Sequence, residues 1–374
     1  MKLYTLLLVY IIVCFLLFGC TSHKSQNDSD LIHINLRDSF PEREIRLEEV
    51  AYIEFLQLEM RDDFLFVGVP RIVTSCKIIF TQRNSDILVF SRDGSPFSRF
   101  NRRGGGSQEF SDLWGIVYDE VTEEIFVQSP NRIMVYSLTG EFKRAIPLLE
   151  GSSLSVVNYD AESLLVHDFN NVYPTSFSLI SKKDGSIIAA IDMPPITRVN
   201  RAVPFQRDGV TWRSYIDSTP FVSYNDGFLL DIWTTDTVFL YRSRELLPFL
   251  VRTPKIHSMN PIVILENFIV AGNYQFLDTR KLQVIDGRLP FTSLMRNKIT
   301  GSMYRPRIIF DELGKEITIS RSIMRNNNRL GLISLDLTEL QDANDEGRLS
   351  GRLREIVENS EEDGNNVFML LHFK

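Results

Sequence analysis

The sequence predicts an all-β chain folded as a six-bladed β-propeller, closed by its N- and C-terminal strands and carrying a helical insert near the C-terminus. Three observations predict it. Short alternating strands separated by Gly/Asp turns run through most of the chain, and almost no helical periodicity appears before residue 325. One unit recurs: ILVFSRDGSPFSRF (from Ile87) and IMVYSLTGEFKRAI (from Ile133) are both an alternating strand, a glycine turn and a second strand. Phe90, Tyr136 and Ile180 occupy its equivalent positions, 46 and 44 residues apart, the length of a four-stranded propeller blade. Finally, an early strand has no blade of its own and the last blade lacks a fourth strand, so each completes the other.

The N-terminus sets the expected address. Met1-Lys2 precedes LYTLLLVYIIVCFLLFG, an apolar run ending at Cys20. A basic start, an apolar core and a small residue before the cut make a secretory signal. The run is also just long enough for a membrane anchor. Leu17-Phe18-Gly19-Cys20 resembles a bacterial lipobox, and that resemblance implies diacylglycerol on Cys20 as the mature N-terminus. The expected division is a signal over 1–19, a lipidated tether and lead-in over 20–48, and the propeller over 49–374. The polar TSHKSQNDSD after Cys20 suits a flexible tether.

EVAYIEFLQLEM (from Glu49) alternates and reads as a strand. Segment 31–41 has no clear period. Two kinds of turn then mark the blades. In VYDEVTEEIFV, NYDAESLLVH, SYNDGFLLDI and IFDELGKEITI a tyrosine or phenylalanine stands near a turn aspartate, whose carboxylate bonds backbone N–H groups two residues on, and a new apolar strand follows. In SRDGSP, SLTGEF and SKKDGSI a glycine supplies the positive φ of a hairpin turn. Six blades follow, over about 68–100, 113–146, 154–192, 219–251, 261–286, and a sixth from 304–311 and 316–321. The helical-looking stretch 330–358 interrupts the sixth, which resumes at VFMLLHF (from Val367). An unpaired sheet edge leaves backbone groups unsatisfied. Segment 50–58 is therefore expected as the outer strand beside Val367–Phe373.

The order of these features resembles the six-bladed β-propeller lipoproteins of Bacteroides-type bacteria, relatives of NHL-repeat propellers. The features are the lipobox, the early E-V-x-x-I-x-F-L-x-L-E strand, a glycine-rich joint ending Glu109-Phe110, the late insert and the final N-N-V-F-x-L-L-x-F-K strand. Gly104, Gly105 and Gly106 keep the character of the family's joint, with Ser107 and Gln108 in place of its Pro-Gly. The resemblance covers nearly the whole mature chain. It implies the fold and a lipid-anchored cell-envelope address, the outer membrane; it implies no chemistry.

Catalytic and cofactor signals are sparse. A phosphate-binding glycine loop needs a helix after the glycines. RRGGGSQEF is followed by the strand-like LWGIVYD, so it reads as a blade joint, with Glu109 bonding backbone N–H groups and Phe110 packed between blades. His23, His33, His167, His257 and His372 lack metal-ligand spacing, and no Gly-x-Ser-x-Gly or His-Glu-x-x-His occurs. No cofactor is expected beyond a structural calcium that the channel could hold with converging Asp, Asn or Glu oxygens. The net charge of −7 argues against general nucleic-acid binding. Three cysteines are too few for a disulfide framework.

Charge is sorted by loop type. The connections 102–112, 147–153, 193–217, 252–259 and 287–304 hold eleven Lys/Arg and five Asp/Glu, while the hairpin turns of the opposite face are acid-rich. One basic face would concentrate anions. Its longest connection, 193–217, interleaves Arg198, Arg201, Arg207 and Arg213 with Phe205, Trp212 and Tyr215. Aromatic and guanidinium groups together suit planar, sugar or anionic ligands. The expected site is Arg102, Arg103, Trp114, Arg201, Arg207, Trp212, Arg213, Tyr215 and Arg305, with Trp114 and Arg305 emerging from inner strands. The expected function is non-catalytic recognition of an anionic or glycan-like ligand, or of an envelope protein, on this face. The alternative is a hydrolase or lyase with a metal in the central funnel.

Overall fold

A computed structural model describes residues 31–194, 202–216, 220–325, 330–361 and 364–374. Cys20 and the apolar segment before it lie outside these residues. The compact unit spans Ile32–Lys374. It is a six-bladed β-propeller, with strands running from the channel outwards in each blade.

Blade one is Ile72–Val73, Lys77–Thr81, Ile87–Ser91 and Pro96–Phe100; blade two is Gly115–Asp119, Glu124–Ser129, Arg132–Ser137 and Phe142–Pro147. Blade three is Leu154–Asn158, Ser163–Asp168, Phe177–Ser181 and Ile187–Ile191. Blade four is Phe221–Tyr224, Gly227–Leu230, Thr237–Arg242 and Glu245–Thr253. Blade five is Val263–Ala271, Tyr274–Lys281, Phe291–Asn297 and Met303–Phe310. Blade six is Met324–Arg325, Leu330–Leu335, Val367–Phe373 and, from the other end of the chain, Ala51–Leu56.

The closure is antiparallel, with Phe368 opposite Leu56 and Phe373 opposite Ala51. Lys374 N donates to Val50 O at 2.9 Å, extending the ladder to the last residue. The N-terminal lead-in belongs to the unit too. Ile32–Asn35 pairs in parallel with the outer strand of blade four, and Glu42–Arg46 with that of blade five. These strands cover two outer edges that would otherwise expose unpaired backbone groups.

Blades pack face to face, so both faces of a middle strand are buried and its sequence is mostly apolar. Ile78, Phe80, Leu88 and Phe90 of blade one join Leu332, Phe368 and Leu370 of blade six. Ile79, Ile87 and Val89, pointing the other way, join Phe110, Val127, Met134 and Tyr136 at the seam with blade two. The outer-turn glycines that mark the repeat have a second reason to lack a side chain. Gly94, Gly140 and Gly185 have φ of 95°, 80° and 77°. A Cβ there would also strike Gln57 O, the Phe100 ring and Pro147 O, at the end of the preceding blade's outer strand.

Three assignments made from sequence need correction. The sixth blade begins at Met324, not at residue 304: Met303–Phe310 is the outer strand of blade five. Leu330–Leu335 is a strand, and the helices follow it as Leu337–Asp345 and Gly351–Glu358. Asp336 caps the first, accepting from Glu339 N at 3.2 Å. Leu340, Ala343, Leu353 and Ile356 fill the seam between blades five and six. The stretch EVAY opens with one helical turn, Leu47–Val50, before the strand.

Candidate functional site

The long connection between blades three and four holds an antiparallel hairpin, Ala202–Arg207 with Val210–Tyr215. Asp208 and Gly209 at its tip have φ of 53° and 74°. Two positive-φ residues in a two-residue loop match the twist of the strands, the preference of Asp-Gly hairpins. Its base is fixed: Val203 and the following Ile216 pack with Trp233, Ile256, Ile264 and Leu289 of blades four and five. Its far part is open, with Val210 and Trp212 55% exposed and Tyr215 68%. Phe205 lies opposite Trp212 and Pro204 opposite Arg213. Arg207 and Arg213 are both on this hairpin; Arg201 lies outside the described residues.

The other expected residues do not join it. Arg102 donates from Nε to Gly140 O at 2.8 Å. Arg103 reaches Ser111 O at 3.1 Å and Asp112 at 3.4 Å. Both therefore brace the glycine joint between blades one and two. That joint is built as its sequence suggests: Gly106 N donates to the Glu109 carboxylate at 2.8 Å, and Phe110 is fully buried between the blades. Trp114 is 57% exposed at the start of blade two's inner strand. Arg305 is not on an inner strand. It sits on the outer strand of blade five, donating to Phe40 O at 3.0 Å and facing Glu42 at 3.5 Å.

The charge contrast between the faces is also smaller than counted. Arg252 and Arg296 are buried, and Lys298 belongs to the turn after Phe291–Asn297, a strand and not a connection. Eight Lys/Arg remain against five acids. Glu266 and Asp278 are buried strand residues rather than turn residues. Burial pushes their carboxyls, and that of Asp231, above the usual range. Arg321 lies 3.2 Å from Glu266, and Asn267 N donates to Asp231 at 2.7 Å.

A cavity of about 830 Å³ occupies the opposite end of the channel, where the first two strands of each blade turn. Residues 71–75, 116–121, 156, 158–159, 226–228 and 324–325 line it, together with Arg92, Leu330 and His372. Most of its charges are matched. Asp119 meets Lys182 at 2.6 Å, Asp226 meets Arg242 at 3.5 Å, and Arg92 and His372 meet Glu54 at 2.6 and 2.8 Å. Glu120 accepts from Ser75 N at 3.1 Å and from its hydroxyl. Burial, with help from the nearby Glu123 and Glu120, raises the Tyr118 phenol to about 12. Among the described residues no three His, Cys, Asp or Glu side chains are grouped to hold a metal.

The profile of a family described as "Domain of unknown function (DUF4934)" matches residues 31–372. The chain belongs to this family. A Bacteroides fragilis protein described as a candidate exported protein has a similar crystal structure, with TM-score 0.61 and 14% identity over 92% of this chain and 100% of that one. That likeness shows the fold. BamB from Moraxella catarrhalis is more distant, with TM-score 0.38 and 10% identity over 87% of this chain and 100% of that one. No curated protein matches.

Proposed function

We propose that this chain is a lipid-anchored protein of the cell envelope with a non-catalytic, binding function, and that it recognises another protein through hairpin 202–215. The exposed, firmly based hairpin carries this reading. Strand Ala202–Arg207 pairs with Val210–Tyr215, and the outer edge of Val210–Tyr215 pairs with no other strand among the described residues, so it can take an added strand. A two-residue loop makes Arg207–Val210 a hydrogen-bonded pair, and bonded pairs alternate along the ladder. Pro204 then falls where its missing N–H would point outwards, which interrupts the first strand's edge. The second strand keeps its edge intact and carries Trp212, Arg213 and Tyr215. The partner that fits is an extended acidic segment of an envelope protein, bonded along that edge, with its carboxylates near Arg213 and Arg207.

The test is site-specific photo-crosslinking from position 211 in the native membrane, with the crosslinked peptide sequenced. An acidic, extended segment of one dominant partner is expected. Trp212→Ala should weaken its binding about 30-fold, since a buried aromatic anchor contributes about 2 kcal/mol. Crosslinks scattered over many abundant proteins, or an affinity untouched by Trp212→Ala, would overturn the reading.

The anchor is tested separately. Mass spectrometry of the mature N-terminus should find Cys20 carrying diacylglycerol, with residues 1–19 removed. An unmodified Cys20, or a chain still beginning at Met1, contradicts lipid anchoring and leaves the hairpin proposal to its own test.

A further inference from the structure

The channel cavity has one pair of charges that the rest of the site does not match. Arg71 and Arg325 both line it, from the inner-strand regions of blades one and six. The Arg325 guanidinium donates to three carbonyl oxygens, Pro70 and Met324 at 2.7 Å and Ser322 at 3.1 Å. No carboxylate of the described residues pairs with it. Burial holds its pKa below the ordinary value, and the Arg71 charge lowers it further. The exposed Arg71 side chain makes no hydrogen bond or ion pair with the described residues. The acids on the cavity wall are committed elsewhere, to Lys182, Ser75 and Arg242. Two cations thus face the same half-open cavity with no carboxylate of the described residues paired to either, and they repel each other.

Across the same cavity stand Tyr159 and Phe228, whose ring centres are 6.1 Å apart, with Ile116, Val156 and Met324. The space far exceeds a single inorganic ion, and its wall mixes these apolar and aromatic groups with polar and charged ones, which suits an organic molecule that carries a charged group.

We propose that this end of the channel binds an organic anion, with a carboxylate or phosphate group held between Arg71 and Arg325 and its body against Tyr159 and Phe228. The free Arg71 fork matches either group geometrically, and Arg325, with Nε and Nη1 held by carbonyls, offers Nη2. The site shares no residue with hairpin 202–215, and it stands if the hairpin reading fails.

The test is calorimetric titration of the full mature chain with benzoate, phenyl phosphate and benzyl alcohol. At least one anion should bind saturably at millimolar concentration, and the neutral alcohol about tenfold more weakly or worse. The ratio of benzoate to phenyl phosphate affinity identifies the preferred group. Added sodium chloride should weaken anion binding through screening. Arg71→Gln should reduce it about tenfold or more at an unchanged melting temperature, since this exposed side chain holds nothing in place. Arg325→Lys keeps the charge but loses the free Nη2 donors, and is expected to fall between the wild type and Arg71→Gln. Absence of saturable binding by either anion, equal binding of benzyl alcohol, or a folded Arg71→Gln variant with unchanged affinity would each overturn the proposal.

Discussion

A chain ending before Val367 is expected to lose cooperative folding altogether. Removing Val367–Lys374 takes the third strand out of blade six. It leaves Ala51–Leu56 without a partner and uncovers the edge of Leu330–Leu335. It also removes Val367, Phe368, Met369, Leu370 and Leu371, all at 0% exposure. These alternate between two seams: Val367, Met369 and Leu371 face blade five and the helices, and Phe368 and Leu370 face blade one. At about 1.5–3 kcal/mol for each buried side chain the loss is roughly 7–15 kcal/mol. The whole stability of a domain is commonly about 5–15 kcal/mol. Circular dichroism during denaturant titration should show a broad, non-cooperative change. A sharp transition at the wild-type midpoint would mean that the ring does not depend on this closure.

The ring was legible because its signals are local and repeated. Most middle strands are mainly apolar on both faces, and the outer turns of blades one, two, three and five keep a glycine. The terminal closure followed from counting strands, since one blade lacked an edge and one strand lacked a blade. What misled was blade six, whose inner strand Met324–Arg325 has two residues and shows no alternation. With that strand unseen, Met303–Phe310 passed for the start of a new blade, and Leu330–Leu335 merged with the helices after it. The parallel edge strands Ile32–Asn35 and Glu42–Arg46 escaped for a similar reason. Each buries one aliphatic side chain, Ile34 or Ile45, too few for a period.

The sites were less legible than the fold. The interleaved aromatic and basic residues of the long connection did mark an exposed hairpin. Arg102, Arg103 and Arg305 have the same sequence character, but Arg103 is taken within its own joint and Arg102 and Arg305 by carbonyls that only tertiary packing brings near. Arg71 and Arg325 are the reverse case. They lie 254 residues apart, next to very short strands, and nothing in sequence shows that they share a cavity or lack counter-charges. Whether an arginine is committed or available depends on its partners, which are non-local.

The second large effect is expected at the seam between blades two and three, from Lys182→Met. Lys182 and Asp119 meet at 2.6 Å with side-chain exposures of 6% and 2%. The ammonium also donates to Asp160 O, and Asp119 accepts from Val121 N at 3.0 Å. Around them Arg144 bonds both Glu124 oxygens, at 2.8 and 2.6 Å, and donates to Lys182 O at 2.8 Å. Removing one partner of a buried pair leaves the other charge uncompensated, at about 3–5 kcal/mol. The methionine keeps most of the lysine's length, so lost packing adds little. Burial pushes the Asp119 carboxyl up, but the Lys182 hydrogen bond and charge and the Val121 N–H outweigh it, so the folded pKa is lowered. A lowered folded pKa contributes stability above the unfolded value of about 3.9 and loses it as pH falls through the folded value. In Lys182→Met burial is opposed only by the Val121 N–H and the Thr122 side chain, so its cost should be largest at neutral pH and shrink as Asp119 takes up a proton. Thermal melts of the two proteins at pH 7.5 and near pH 4 check both parts. A second variant, Asp119→Asn with Lys182→Met, removes the stranded charge and should recover much of the loss at neutral pH. Equal destabilisation of the single variant at both pH values would show that packing, not the buried charge, is what Lys182 supplies.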